Sequence, residues 1–301
     1  MARTAKRIHM DGYTILFLSV SYTVITLFSV LCLLPFVMML SGSLSAEKAI
    51  VQTGYSLFPK DITLFAYRMV FEQPDQILGA YAVTVALTVV GTAAGTFITA
   101  MTGYALQRPD FAYRNRISFY IYFTSLFNGG LMAYYILMVR YYGMKDNYLA
   151  VLLPLMLSSW NIIMMKNFMK GIPHEVTESA HIDGAGDFRI FVSIILPMAT
   201  PALATIGLFI ALGYWNDWYT SLLFLSPNVK YRPLQFFLMS VISKAEYMQV
   251  AAAKAGIPVS EIPKETSKLA TAIVAIGPVV LFYPFVQRYF IKGITIGAVK
   301  G

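Results

Sequence analysis

Cysteine, histidine and charge are all scarce in this chain. Cys32 is the single cysteine and sits within an apolar run, which excludes an internal disulfide and argues against a thiolate metal site. The three histidines are His9, His174 and His181; the last two are seven apart and could share a helical face, but no H-E-x-x-H pattern accompanies them. Charged residues make up 13% of the 301, against roughly 25% in soluble domains. No G-x-x-x-x-G-K-S/T phosphate loop is present, so the chain itself is not expected to hydrolyse ATP. There is no Ser-His-Asp arrangement with a defined site and no pair of catalytic acids, which argues against a membrane-embedded enzyme. The lack of a proton relay within the apolar windows argues against a secondary transporter.

What the chain does have is apolar length. Hydrophobic residues are 57% of the sequence, and uncharged windows of about 20 residues or more mark membrane spans. The six windows are 13–40, 77–106, 117–139, 148–165, 199–226 (interrupted only by Asp217) and 269–287. The first is far longer than the 7–15 residues of a signal-peptide core, so it reads as a retained span. The expected fold is an all-α membrane protein of one domain, residues 1–301, with six transmembrane helices. Arg3, Lys6 and Arg7, then Arg108, Arg114 and Arg116, then Arg288, Lys292 and Lys300 lie in the tails and in a short loop. By the positive-inside rule they place both termini in the cytoplasm. The segment 227–268 is also basic, but long segments translocate largely regardless of charge. The net charge of +8 therefore reads as topology and headgroup contact, and nucleic acid is not an expected partner.

The longest inner connection, 166–198, is polar where its flanks are apolar. Pro173 suits a first helical turn, and Glu175 sits near the positive helix end. Ile172, Val176 and Ala180 form an apolar stripe. Asp183-Gly184 ends this helix with a residue suited to the left-handed conformation. Asp187 is expected to cap a second helix over 188–196. A pair this short needs something to dock against. An interfacial helix on headgroups is one solution. A cytoplasmic protein partner is the other, and it suits Glu175, Glu178, Asp183 and Asp187 better, because anionic lipid would repel them.

Glu178-Ser179-Ala180, Gly184 six residues after the glutamate, and Ile194-x-Leu196-Pro197 resemble the EAA loop of ABC importer permeases, with Ser179 in place of the second alanine. Trp215-Asn216-Asp217, the C-terminal run from Gln287 to Gly301, and Pro35-Phe36 followed by Ser41-Gly-Ser43 are similar to the carbohydrate-type permeases, the family of the maltose importer's G-type subunit. The segment 262–290 looks most like permeases for alginate and pectin oligosaccharides. One departure is Ala133 before Tyr134, where many relatives carry proline, which implies a softer kink.

The resemblance implies an ABC type I importer permease of the bacterial cytoplasmic membrane, embedded in lipid and without enzymatic activity. Its implied partners are a second homologous permease, two ATP-binding subunits that hold ATP and Mg, an extracytoplasmic solute-binding protein and an oligosaccharide. No cofactor is expected in this chain. Another sugar or a peptide-like solute is the alternative cargo. Glu178, Ser179, Ala180, Asp183 and Gly184 are the implied ATPase-coupling residues, and Gly297, Lys300 and Gly301 an ATPase-contact tail. The segment 227–268 is long for a structureless loop; by resemblance its part around Glu246–Glu261 reaches the binding protein, with a lid on the bundle as the alternative.

Asn128, Trp215, Asn216, Asp217 and Tyr219 are substrate-pathway candidates. Asp217 as an intramembrane carboxylate points to function by default, with a structural role as its competitor. Trp215, Trp218 and Tyr219 fit an interfacial aromatic belt as well as sugar stacking, and Asn128 fits interhelical hydrogen bonding. Gly91-Thr-Ala-Ala-Gly95 reads as a small-residue packing motif.

Overall fold

A computed structural model describes residues 11–226, 228–255 and 263–298, with backbone alone at 282, 283 and 285–298. All described elements are helices. In order they are α1 (Gly12–Ser43), α2 (Glu47–Thr53), α3 (Phe65–Val70), α4 (Pro74–Gln107), α5 (Arg114–Leu126), α6 (Leu131–Tyr141), α7 (Leu149–Met156), α8 (Ser159–Met169), α9 (His174–Ile182), α10 (Asp187–Met198), α11 (Thr200–Trp215), α12 (Tyr219–Phe224), α13 (Leu234–Lys254) and α14 (Lys264–Ala298). α6 ends in a π-helical turn and α10 passes through one. The chain packs as two compact units, one drawn from residues up to Val70 with Val241–Val274, the other from Phe71–Ser240 with the segment from Ala275 on.

In the first unit, α1 is apolar on every side. Its only buried residues are Ser41, Gly42 and Ser43, while Phe17, Phe28 and Leu31 stand exposed. Such a helix finds its solvent in lipid or in other helices, because water would be expelled from all of its faces. One buried residue of this unit carries charge: Glu47, at the start of α2. Its carboxylate accepts from the backbone N–H groups of Glu265 and Thr266, each at 2.9 Å, and from the Thr266 hydroxyl at 2.8 Å. The first turn of α14 has unpaired N–H groups and a positive dipole end, and Glu47 satisfies both from a different helix. Glu47→Ala leaves these donors buried without an acceptor, and we expect a loss of about 1–3 kcal/mol, read as a lower melting temperature. Glu47→Gln, which keeps one acceptor oxygen, should lose less. Equal melting of the alanine variant and the parent would refute the cap.

The second unit is organised around α4. Pro74 at its first position and Asp75 in its first turn favour the helix start, and Arg108-Pro109 ends it. α4 packs most extensively on α11 and α8. Its small residues allow this: a Cβ on Gly91 would lie 2.2 Å from the Tyr214 ring, and one on Gly95 2.6 Å from the Met156 carbonyl oxygen. The packing expected of this motif is thus present. Below it, Tyr104, Met165, Met169, Ile190, Phe191, Ile195 and Ile206 form one buried cluster.

Among the described residues, three helical stretches are long and apolar enough to cross a bilayer: α1, α4 and the α7–α8 stretch Leu149–Met169. The windows 117–139 and 199–226 are not single straight helices. α5 and α6 meet at 112°; the second window holds α11 and α12, split at 216–218, and its start meets α10 at 85°. The first break is sharp rather than soft, since Gly130 at φ +86° turns the chain where no proline is needed. α11 has 16 residues, which rise about 24 Å. That is short of the roughly 30 Å hydrocarbon core. Window 269–287 falls within α14.

Candidate functional site

The polar connection between α8 and α11 is built as two helices of different attachment. α10 is anchored: Ile190, Phe191 and Ile195 are buried in the core cluster. α9 lies on the outside, with only Thr177 and Ala180 buried. Between them, Gly184 takes φ +80°, and its N–H and that of Ala185 donate to the His181 and Ala180 carbonyls. The left-handed residue thus closes α9 as the sequence pattern requires.

The five expected coupling residues divide on this framework. Ala180 faces the bundle and packs there. Glu178, Ser179, Asp183 and Gly184 are exposed, and among the described residues the charge partner of Glu178 is His174, at 3.5 Å. Two apolar residues that the sequence reading passed over stand among these polar groups. Ile182 is 87% exposed and Phe188 65% exposed. Ile182 lies off the stripe of Ile172, Val176 and Ala180, and that misfit was a readable signal for an outward apolar anchor. An acidic surface with two bare apolar side chains matches the anchor-and-rim anatomy of a protein interface.

Asp187 does not cap α10 as expected. It is the first helical residue, following Gly186, and caps no N–H with its side chain. Its carboxylate pairs instead with the Arg108 guanidinium at the end of α4 and lies 3.2 Å from His181 Nε2. Arg108 also pairs with Asp110 and lies over the Tyr104 ring, 5.8 Å from its centroid. Tyr104 in turn stacks on Phe191 at 5.5 Å. One arginine thereby joins α4, the 108–113 turn and α10, and α9 meets this junction through His181 beside Asp187. Its hydrogen bond, with its charge, holds the Asp110 carboxyl down to about 2, against the opposing effect of burial. A depressed carboxyl pKa stabilises the fold above the unfolded value, and that contribution is lost only as pH falls towards about 2, so the Asp110–Arg108 pair stays charged at physiological pH.

The pathway candidates are placed separately. Asn128 sits in the α5–α6 break, its Oδ1 accepting from Gly130 N–H at 2.9 Å. Trp215 is buried and donates from Nε1 to the Ala275 carbonyl at 3.1 Å. Asn216 donates to the Leu212 carbonyl at 3.0 Å. Asp217 accepts from the Thr220 and Ser221 N–H groups and from the Ser221 hydroxyl, at 3.0–3.2 Å, which gives it a capping role at the start of α12. Trp218 and Tyr219 meet edge to face and are partly exposed. Among the described residues no hydrogen bond joins Asn128 to this group. Gly297 lies in the last turn of α14; Lys300, Gly301 and Glu261 lie outside the described residues.

The sequence as a whole matches the family described as "Binding-protein-dependent transport system inner membrane component" over residues 9–296. The polygalacturonan/rhamnogalacturonan transport system permease protein YtcP of Bacillus subtilis (strain 168) is 38% identical over 280 residues, 93% of this chain and 96% of that one. Protein LplC of the same organism is 37% identical over 270 residues, 89% of this chain and 90% of that one. Among solved structures, a bacterial ABC transporter involved in the import of the acidic polysaccharide alginate has a chain that superposes with a TM-score of 0.73 at 28% identity. The match covers 93% of this chain and 98% of that one. With its apolar helices, its exposed helix–glycine–helix loop and these matches over nearly its whole length, the chain belongs to the inner membrane components of binding-protein-dependent transport systems, the permeases of ABC importers.

Proposed function

We propose that this chain is one permease half of an importer for acidic, uronide-derived oligosaccharides, driven by ATPase subunits that grip the α9 surface. The observation that carries the coupling role is the division of the loop. Glu178, Ser179, Ile182 and Asp183 are exposed on the outside, while Ala180 and α10 are fixed to the bundle. A partner bound to α9 pulls through the Gly184 turn on α10, which Arg108 and the Phe191–Tyr104 stack tie to α4. Closure of two ATPases would then rock the spans between inward- and outward-open states. ATP and Mg reside on those subunits, and a second permease and a binding protein complete the complex. Both termini lie in the cytoplasm, with six crossings and α13 on the outer side. The bent α5–α6 and α10–α11 pairs each contribute to one crossing. The cargo reading rests on two acidic polymers, polygalacturonan and alginate, named for a 38% identical relative and for the structural neighbour.

The test is reconstitution of the full complex with its binding protein, loaded in turn with oligogalacturonate, oligoalginate or a neutral malto-oligosaccharide. Stimulation of ATP hydrolysis by a uronide and not by the neutral sugar is expected; stimulation by the neutral sugar alone overturns the cargo assignment. In the same assay, Arg108→Gln should lower stimulated hydrolysis roughly 2- to 30-fold, the effect of about 0.5–2 kcal/mol of lost coupling. Basal hydrolysis should stay unchanged. Full stimulation in Arg108→Gln would remove it from the coupling route.

A further inference from the structure

The α5–α8 groove carries positive charge that the transport reading does not use. A pocket of about 200 Å³ opens there, with Lys166 and Lys170 at one end and Ile121, Tyr122, Ile162 and Ile163 along its walls. Lys166 is half-buried and donates from Nζ to the Ser118 hydroxyl at 2.7 Å. Its charged neighbours are Lys170 and Arg114, both positive, and Arg114 gives one N–H to the Arg108 carbonyl, a neutral acceptor. Among the described residues no carboxylate lies within ion-pair distance of any of the three.

Three cations brought together without a counter-charge cost free energy, the more so where one is partly withdrawn from water. The negative end of α8, whose last turn holds Lys166, offsets part of that cost. An anion in the pocket would offset more. The walls state which anion: Ile121, Tyr122, Ile162 and Ile163 run from the charged end along two helices that belong to membrane-spanning stretches, so an acyl chain fits beside them. A basic pocket between spans at the polar boundary is the chemistry that holds anionic lipid headgroups.

We propose that this pocket binds one anionic glycerophospholipid, its phosphate between Lys166 and Lys170 and one chain against the Ile121 and Ile163 walls. The probe is palmitoyl-oleoyl phosphatidylglycerol. The full complex is exchanged into nanodiscs with this lipid at low fraction in phosphatidylcholine, and native mass spectrometry counts the lipid carried out of the disc. One retained phosphatidylglycerol is expected for the parent and for Lys166→Arg/Lys170→Arg, with about 30-fold weaker retention in Lys166→Gln/Lys170→Gln. Equal retention in the glutamine variant overturns the site. So does displacement by millimolar inorganic phosphate, which would make it a soluble-anion site. Release of the ATPase subunits from the glutamine variant with its lipid still bound would assign these lysines to a protein contact and likewise overturn it. A second measurement needs no variant: phosphatidylglycerol bearing a diazirine chain should label peptides containing Tyr122 or Ile163 in the parent complex, and absence of label there also refutes the proposal.

Discussion

Gly184→Val is expected to cut binding-protein-stimulated ATP hydrolysis by roughly 5- to 30-fold or more while the permease still inserts and assembles. The estimate follows from the backbone. Gly184 holds φ +80°, and an L residue kept in the left-handed region costs about 1–2 kcal/mol, which is that same factor in the population of the docked loop. A β-branched side chain is worse there than alanine. Nothing lies within 4 Å of a Cβ built on Gly184, so bulk plays no part, and this separates conformation from crowding. Asparagine, larger than alanine but tolerant of positive φ, should retain more activity than Gly184→Ala, and valine the least. α10 stays anchored through Ile190, Phe191 and Ile195, so the strain is relieved by α9, whose exposed face then no longer meets the partner in register. Activity that instead declined with side-chain volume, asparagine below alanine, would refute the conformational account.

The second large effect is on folding. At Gly95 the obstruction is the Met156 carbonyl oxygen, 2.6 Å from the added Cβ, with the Met156 Cγ at 3.3 Å and Ile210 Cδ1 at 3.4 Å behind it. A backbone atom cannot rotate aside, so α4 and α7 must separate. Gly95→Ala is expected to cost about 1–3 kcal/mol in overpacking, and Gly95→Leu should abolish recovery of monodisperse complex on size exclusion. The control lies on α11: Gly213 has nothing within 4 Å of its Cβ position, and Gly213→Ala should be neutral or slightly stabilising, since alanine is the better helix former. A Gly95→Ala complex that melts with the parent would show that α4 and α7 are not held in contact.

Much of this was legible in advance for local reasons. The all-helical class follows from uncharged windows long enough to span a bilayer. The helix–glycine–helix loop was written in Pro173, in the 172–176–180 stripe and in Asp183-Gly184, because helix ends depend on a few adjacent residues. The close approach at Gly91 and Gly95 was readable as small residues one turn apart. The partner of Asp187 was not. A carboxylate three residues after a helix-stopping glycine looks like a cap, and only Arg108, 79 positions earlier, draws it away. Nor could sequence join Glu47 to Thr266 across 219 positions, or break the 117–139 and 199–226 windows, since each is apolar enough to pass for one helix.

The sequence by itself therefore determined what is set within a few turns of chain: membrane solvent, helix content, the loop's turn and its acidic character. Tertiary structure alone decided which of the loop's residues face outward, that Ala180 packs while Ile182 and Phe188 stay bare, and that Arg108 links the loop to α4. The reason is physical. Helix start, stop and amphipathic stripe are short-range effects of backbone and neighbouring side chains, whereas a charge partner or a buried face is chosen only after distant helices have come together.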